Sequence, residues 1–404
     1  MQYRNLTILV VCQLISATGS IVFVTLGGII GATLTSNLAW ATLPVSIMVL
    51  AVAATTVPAT LLMRRFGRGK GFAFASATAV LAVCFAAWAL SAFSFPLFLM
   101  SGAIFGVNMA FTQQYRYAAA ESVSARYVPR AISFVLLGAI GGAFVGPELA
   151  KHGQQWFGGV QHSGTMLGLA VLYTAQGFLL LMLKPVSPEN EPQHVVARRS
   201  VLEIARQHVF IVAVLAGTAG YGIMTLIMTA TPLSMHINDG YSVDATANVI
   251  RAHVLGMYVP SLVSGFLIER IGVVRMMLVG ALGLLGTSIV GLQGQNYMHY
   301  WLALLMLGVG WNFLYVGGTT MLTYAYTMTE RFSAQAINEF LVFGTSATAS
   351  LLAGTVMYFF GWHRLMWIPI PILLIVCVAL LVVRKDELLR RGISVTPVRA
   401  VEHE

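Results

Sequence analysis

The chain has 404 residues, 58% of them hydrophobic and 9% charged, with a formal net charge of +9. Soluble domains carry roughly 25% charged residues, so this composition excludes an ordinary water-soluble fold. The positive charge is not read as a nucleic-acid footprint either, because the Lys and Arg fall in short clusters between apolar runs and not along one face.

The opening MQYRN leads into an apolar run that continues to about Thr33 and is followed by many more, so it is expected to remain as a first span and not to be cleaved. A helix crossing the hydrocarbon core needs about 20 mostly apolar residues and must satisfy its backbone internally. Twelve such runs follow one another near 6–32, 39–62, 72–93, 95–119, 130–150, 164–183, 208–235, 244–268, 272–293, 298–325, 334–359 and 362–383. The connections are short except at Lys184–Gln207, where PVSPENEP and Arg198-Arg199 read as a polar linker. The expected division is a six-helix N-terminal bundle over 1–183, a cytoplasmic linker over 184–207, a six-helix C-terminal bundle over 208–384 and a cytoplasmic tail over 385–404.

Basic residues set the expected orientation. Arg64, Arg65, Arg68 and Lys70 follow the second run, and Arg126 and Arg130 the fourth. The linker, Arg270 and Arg275, Arg331, and the segment from Arg384 onward continue the same parity, while the opposite connections hold only Lys151 and Arg364. Both termini are therefore expected in the cytoplasm of a bacterium, with the chain in its inner membrane. Cys12, Cys84 and Cys377 lie apart in apolar runs, so no disulfide, metal site or cofactor is expected.

The halves echo each other at an offset of roughly 205 residues, which marks duplication of a six-helix unit. Thr60-Leu-Leu-Met-Arg64-Arg65-Phe-Gly67-Arg68-Gly-Lys70 follows the second run, and Gly265-Phe-Leu-Ile-Glu269-Arg270-Ile-Gly272-Val-Val-Arg275 follows the eighth. Phe105-Gly106-Val-Asn108 is likewise matched by Val309-Gly310-Trp-Asn312. The two post-helix segments resemble the Gly-x-x-x-Asp-Arg-x-Gly-Arg-Arg loop signature of the major facilitator superfamily. The second copy keeps an acid, Glu269, whereas the first has Arg64 in its place and Thr60 for the leading Gly. Gln114-Tyr-Arg116-Tyr-Ala-Ala-Ala-Glu121 and the stretch Leu307–Thr320 resemble a proteobacterial branch of that superfamily with riboflavin-transporter-like members. The resemblance implies an all-α integral membrane fold of 12 transmembrane helices in two pseudo-symmetric six-helix bundles. It also implies a transporter of small organic solutes.

Charges inside spans are costly, so they are functional candidates by default. Glu339, in the eleventh run, and Glu148, near the far end of the fifth, are the candidate proton-coupling acids. The stretch before Glu148 resembles the Gly-rich fifth-helix motif of drug antiporters, with Ala150-Lys151 in place of its closing Gly pair, and Lys151 is an alternative ion-pair partner for it. Asn108, Thr112, Tyr115 and Arg116 can share one broad helical face, expected to line a central cavity with amide, aromatic and cationic groups. Arg251 is expected to point at that cavity, with the adjacent His253 more often a packing residue. Trp311, Asn312 and Tyr315 lie within about one turn near the midplane, and Gln13 and Tyr221 join them as weaker solute-binding candidates. Arg64, Arg68, Glu121, Arg130, Glu269, Arg270 and Arg275 are assigned to cytoplasmic gating, with Glu121 pairing Arg130 and Glu269 pairing Arg270 or Arg275.

These features predict a secondary transporter working by alternating access as a monomer, with protons and a small organic solute as its partners in the lipid bilayer. Riboflavin-like heteroaromatic uptake is one candidate activity and efflux of a drug or metabolite by antiport is the alternative. No Gly-x-x-x-x-Gly-Lys-Ser/Thr loop is present for ATP drive. The nine His and three Asp are scattered, which argues against a membrane-embedded enzyme. A non-transporting sensor would need a signalling domain, and only about twenty residues follow the twelfth run.

Overall fold

In the computed structural model of the protein, which describes residues 3–36, 40, 43–153, 156, 162–184, 199–327 and 329–384, each expected span is helical over most of its length, the fourth and eighth with one interruption each. Among the described residues, 12 helical stretches are long and apolar enough to cross a membrane. The first half comprises α1 (Tyr3–Leu34), α2 (Leu43–Phe66), α3 (Arg68–Ser91), α4 (Phe95–Thr112) continued by α5 (Tyr115–Glu121), α6 (Val128–His152) and α7 (Ser163–Leu181). A short helix, α8 (Val201–Ala205), precedes the second half. That half comprises α9 (His208–Pro232), α10 (Val243–Tyr258) continued by α11 (Ser261–Ile271), α12 (Val273–Gln293), α13 (Tyr297–Thr323), α14 (Arg331–Trp367) and α15 (Pro369–Val383).

The interruptions have different physical origins. Pro260 lacks an amide hydrogen and separates α10 from α11. Gly361, at φ 69° and ψ 177°, turns the chain between the eleventh and twelfth spans, and Pro369 then occupies the first turn of α15, where its missing N–H costs nothing. The break between α4 and α5 falls at Gln113-Gln114, with neither Gly nor Pro. The expected polar linker holds α8, whose start is fixed by a reciprocal cap. The Ser200 hydroxyl accepts from the Glu203 amide, and the Glu203 carboxylate accepts from the Ser200 amide. Residues 185–198 of that linker and the tail 385–404 lie outside the described residues.

In the first half α1 packs along α6, and α3 along α4 and α7; in the second, α13 packs along α10 and α12, and α9 along α14. The two halves meet mainly through α2 against α14 and α6 against α11. Their duplication survives in the backbone: Gly67 (φ 85°, ψ 160°) and Gly272 (φ 88°, ψ 154°) make the same left-handed turn at corresponding positions. A side chain would be strained at either φ, which is why both copies keep Gly although only the second keeps the acid. Large apolar side chains such as Val171, Phe178 and Val382 are highly exposed, as lipid-facing residues are.

All the described hydrogen bonds and ion pairs between the halves lie toward the end that carries the linker. Asn5 ties the N-terminus to this end, its Nδ2 donating to the Lys184 carbonyl at 3.1 Å and its Oδ1 accepting from the Lys184 amide at 3.1 Å. The Gly265 backbone of α11 lies so close to α6 that a Cβ there would fall 2.8 Å from Arg130 Cα and from the Pro129 carbonyl oxygen.

Candidate functional site

The site is built where α5, α13 and α14 converge. Glu339 of α14 is fully buried, and all its described donors reach one carboxylate oxygen. Arg116 Nη2 pairs with Oε1, Tyr117 donates to Oε1 at 2.8 Å, and Asn338 Nδ2 donates to it at 2.9 Å. Asn338 also donates to the Tyr117 oxygen at 3.0 Å, and so does Arg116 Nη2 at 3.2 Å. The pair therefore joins the N-terminal half to the C-terminal half inside the protein, where a lone charge would cost several kcal/mol.

Aromatic groups extend this pair into a stack. The Arg116 guanidinium lies 4.3 Å from the Tyr315 ring centroid and 4.7 Å from that of Tyr117. Tyr315 stacks on Trp311 at 4.6 Å with an interplanar angle of 18°, and its hydroxyl donates to Gln113 Oε1 at 3.1 Å. Tyr221 of α9 sets its ring edgewise against Trp311, Tyr315 and Phe343, at centroid distances of 5.4, 5.5 and 5.1 Å. Tyr258 closes on Trp311 from α10 at 6.2 Å. Each ring contributes apolar area and a quadrupole that holds a cation or another ring.

Not every candidate joins this cluster. The single face expected for Asn108, Thr112, Tyr115 and Arg116 does not hold as a cavity lining, because Asn108 and Tyr115 both turn to α3 while Arg116 turns to α14. Asn108 Nδ2 donates to the Ala75 carbonyl of α3 at 2.8 Å, and the Thr112 hydroxyl returns to the Asn108 carbonyl at 3.1 Å. Tyr115 packs edgewise on Phe72 and accepts from Gln176 Nε2 at 2.7 Å, inside its own bundle. Asn312, the counterpart of Asn108, is also spent on packing: its Nδ2 donates to the Met257 carbonyl at 2.7 Å and to Ser261 Oγ at 2.6 Å. Gln13 is partly buried against Gly138 of α6 and has no described contact with the cluster. Arg251, expected to face the interior, is exposed and donates to Asn248 Oδ1 at 3.2 Å on its own helix. His253 is the buried neighbour, its Nδ1 3.0 Å from the Leu304 carbonyl.

Glu148 also departs from its expected place. Its side chain is 68% exposed and lies 3.2 Å from His152 one turn on, so it is a surface group and not a buried acid. The side chain of Lys151, its expected partner, lies outside the described residues.

The closing contacts use the expected residues in different pairs. Glu121 does not meet Arg130; Arg68 reaches both its oxygens, with Nε 2.7 Å from Oε2, and Arg331 of α14 lies 3.5 Å away. Arg68 also donates to Gln335 Oε1 of α14 at 2.8 Å. Arg130 crosses to Glu269 at 2.5 Å, which displaces the expected Glu269 pairing with Arg270 or Arg275. Beneath it Ser133 and Ser264 hydroxyls meet at 3.2 Å, and Arg130 covers the Phe266 ring at 4.3 Å. Arg64 and Arg270 are exposed, and Arg275 reaches only the Ile271 carbonyl of its preceding turn at 3.4 Å. A further pair anchors the linker: Arg199 grips Glu330 through Nε at 2.8 Å and Nη2 at 2.6 Å. These hydrogen bonds hold the Glu330 carboxyl down at about 2 against its burial, and the Thr327 amide helps.

Sequence reasoning missed Gln113, Tyr117, Tyr258, Gln335, Asn338 and Phe343. Gln335 lies on α14 one turn before Glu339, so helical spacing from the buried acid was a signal for it, whereas Asn338 is the acid's immediate neighbour in the chain and had no such signal.

Two six-helix halves joined at one end, with a buried charge pair between them, form the frame of a transporter that rocks about a central site. Residues 9–250 and 222–399 match the sequence profile of the Major Facilitator Superfamily. The chain belongs to that superfamily. It is 36% identical to a riboflavin transporter, RfnT, of Brucella anthropi over 379 residues, covering 94% of this chain and 95% of the relative. It is 26% identical to YdeG of Bacillus subtilis, described as an uncharacterized transporter of the superfamily, over 372 residues, covering 88% of this chain and 86% of that protein. Among solved structures, the human organic anion transporter MFSD10 superposes with a TM-score of 0.75 at 14% identity, covering 94% of this chain and 99% of that one. FucP in its outward conformation gives a TM-score of 0.71 at 14% identity, covering 93% and 98%. A Major Facilitator fold moves small molecules across the bilayer as a secondary transporter, by alternating access.

Proposed function

We propose that this transporter takes up riboflavin, or a flat heteroaromatic solute of its kind, across a bacterial inner membrane with proton coupling. The observation that carries the reading is the Trp311–Tyr315–Arg116 stack running into the Arg116–Glu339 pair, which sets a planar recognition surface beside the one fully buried acid of the described spans. The 36% identity to a riboflavin transporter along nearly the whole chain supports the solute class. With both termini in the cytoplasm, as the basic residues indicate, the closed end is cytoplasmic and solute enters from outside.

Glu339 is the coupling group in this reading. Protonation removes its charge and with it most of its hold on Arg116, so the halves can part at the cytoplasmic end and release solute and proton together. Deprotonation restores the pair and resets the closed end. Efflux by antiport draws no support from Glu148, which is an exposed surface group. The test is reconstitution in liposomes with an internal pH dye and a panel of riboflavin, other heteroaromatics, organic acids and cationic drugs. Riboflavin should carry protons inward in the wild type and not in Glu339→Gln. Proton movement with cationic drugs alone would overturn the solute assignment, and solute movement without a Glu339-dependent proton signal would overturn the coupling.

A further inference from the structure

Three polar atoms of the central cluster are buried without a partner: Trp311 Nε1, Arg116 Nε and Glu339 Oε2. A buried polar group left unpaired costs roughly 1–3 kcal/mol, and native structures retain few of them. That three occur on one connected set of side chains sets this place apart. Trp311 stacks on Tyr315, Tyr315 carries Arg116 on its ring, and Arg116 pairs with Glu339. The pairing itself makes the asymmetry. Arg116 uses Nη2 and not Nε, and Glu339 concentrates three donors on Oε1 while Oε2 receives none.

Trp311 Nε1 and Arg116 Nε can only donate. Glu339 Oε2 accepts when ionised and donates when protonated. A proton would settle on Oε2, since Oε1 is already occupied by Arg116, Tyr117 and Asn338. The proton-loaded site then presents three donors and no free acceptor among these groups. We infer that the solute is gripped through a ring edge rich in hydrogen-bond acceptors, carbonyl oxygens above all, by Trp311 Nε1–H, Arg116 Nε–H and the protonated Oε2 of Glu339. This rests on the reading of the solute as a flat heteroaromatic and specifies which edge of it is recognised. It also disfavours flat cations, and most of all those without an acceptor, because they would sit against the Arg116 charge.

A consequence concerns the proton. An ionised Oε2 would repel a carbonyl oxygen, so proton and solute strengthen each other's binding, which by linkage favours co-transport. The groups that face Glu339 are Arg116 and Tyr117 from α5, Asn338 from its own helix, and Tyr221 from α9 across the cluster. No other carboxylate and no His has a described bond to it.

The test uses purified full-length protein and quenching of riboflavin fluorescence, with competition by three flat tricyclic compounds. Alloxazine carries two ring carbonyls and two N–H groups; its N,N-dimethyl derivative keeps the carbonyls and loses the N–H groups; phenazine has neither. The dimethyl compound is expected to compete within about threefold of alloxazine, and phenazine at least about tenfold more weakly, the size of one or two net hydrogen bonds. A dimethyl compound as weak as phenazine would mean recognition through N–H donors and would overturn the inference, as would phenazine competing as well as alloxazine. Trp311→Phe should weaken riboflavin roughly three- to tenfold and leave phenazine unchanged. Equal losses for both would make Trp311 a packing residue and overturn its role as a donor. Riboflavin should bind more tightly as pH falls in the wild type and without pH dependence in Glu339→Gln, whose amide always donates. If neither riboflavin nor alloxazine binds at any pH, the proposed solute falls and the inference with it.

Discussion

Arg116 and Glu339 meet in the interior as an ion pair between the two halves, with side-chain exposures of 3% and 0%. Removing one partner strands the other charge in a dry site, which typically costs 3–5 kcal/mol, whereas replacing both with apolar groups is often neutral. Arg116→Ala is therefore expected to lower the thermal stability of the detergent-solubilised protein sharply. The double variant Arg116→Met with Glu339→Leu should recover most of that loss while remaining inactive. A melting series on the three proteins checks this, and a double variant as unstable as the single one would show that the pair contributes more than charge compensation.

Ser133 of α6 and Ser264 of α11 face each other with hydroxyls 3.2 Å apart. Cysteines at both positions, in a chain whose Cys12, Cys84 and Cys377 have been replaced, should cross-link readily in the absence of solute. The cross-link holds the linker end shut, so transport should stop and return on reduction. Free thiols that resist oxidation in the resting protein would mean that this closed arrangement is not the resting one.

Gly265 seats α11 against the α6 backbone, and a side chain there would meet Arg130 Cα and the Pro129 carbonyl at 2.8 Å. Neither is the tip of a flexible side chain. Gly265→Val should push the helices apart, lower the yield of the Ser133–Ser264 cross-link severalfold and cut net accumulation of solute. Unchanged cross-linking would show that the helices reseat at little cost.

Glu330 is held at about 2, chiefly by Arg199, against an ordinary value of 4.5. A carboxyl whose folded value is depressed contributes stability that is fully present above its unfolded value and is lost as pH falls toward the folded one. Wild type should therefore melt higher than Arg199→Ala at pH 7, and that difference should shrink as pH falls from about 4.5 to about 2. A gap that stays constant across this window would assign the effect of Arg199 to packing.

Much of the fold was legible before the structure. Twelve apolar runs suffice to place twelve helices, because the hydrocarbon core leaves the backbone few alternatives. The interruptions were not used: the expected span 244–268 runs straight through Pro260, and the break at Gln113-Gln114 has no Gly or Pro to announce it. The face drawn through Asn108 and Arg116 failed because Asn108 and Tyr115 turn to α3 and Arg116 to α14. The residue types of the cluster were legible too. Arg116, Tyr221, Trp311, Tyr315 and Glu339 were each conspicuous as polar or aromatic groups inside spans, and the structure brings them together. Partnership was not legible. Glu121 and Arg130 are near in sequence yet reach different partners, because a pair that crosses the two halves depends on how helices far apart in the chain lie side by side.

The polar contacts between the halves gather at one end of the molecule, and this gives it the mechanics of a pair of tongs gripped at the pivot. Force applied between the free tips acts with the full length of the helices as its lever arm and need break no described hydrogen bond between the halves. Parting the tips works against helix packing alone, such as that of α2 on α14, while parting the linker end must also break the Arg116–Glu339 pair. Opening the linker end is therefore the stiffer of the two motions.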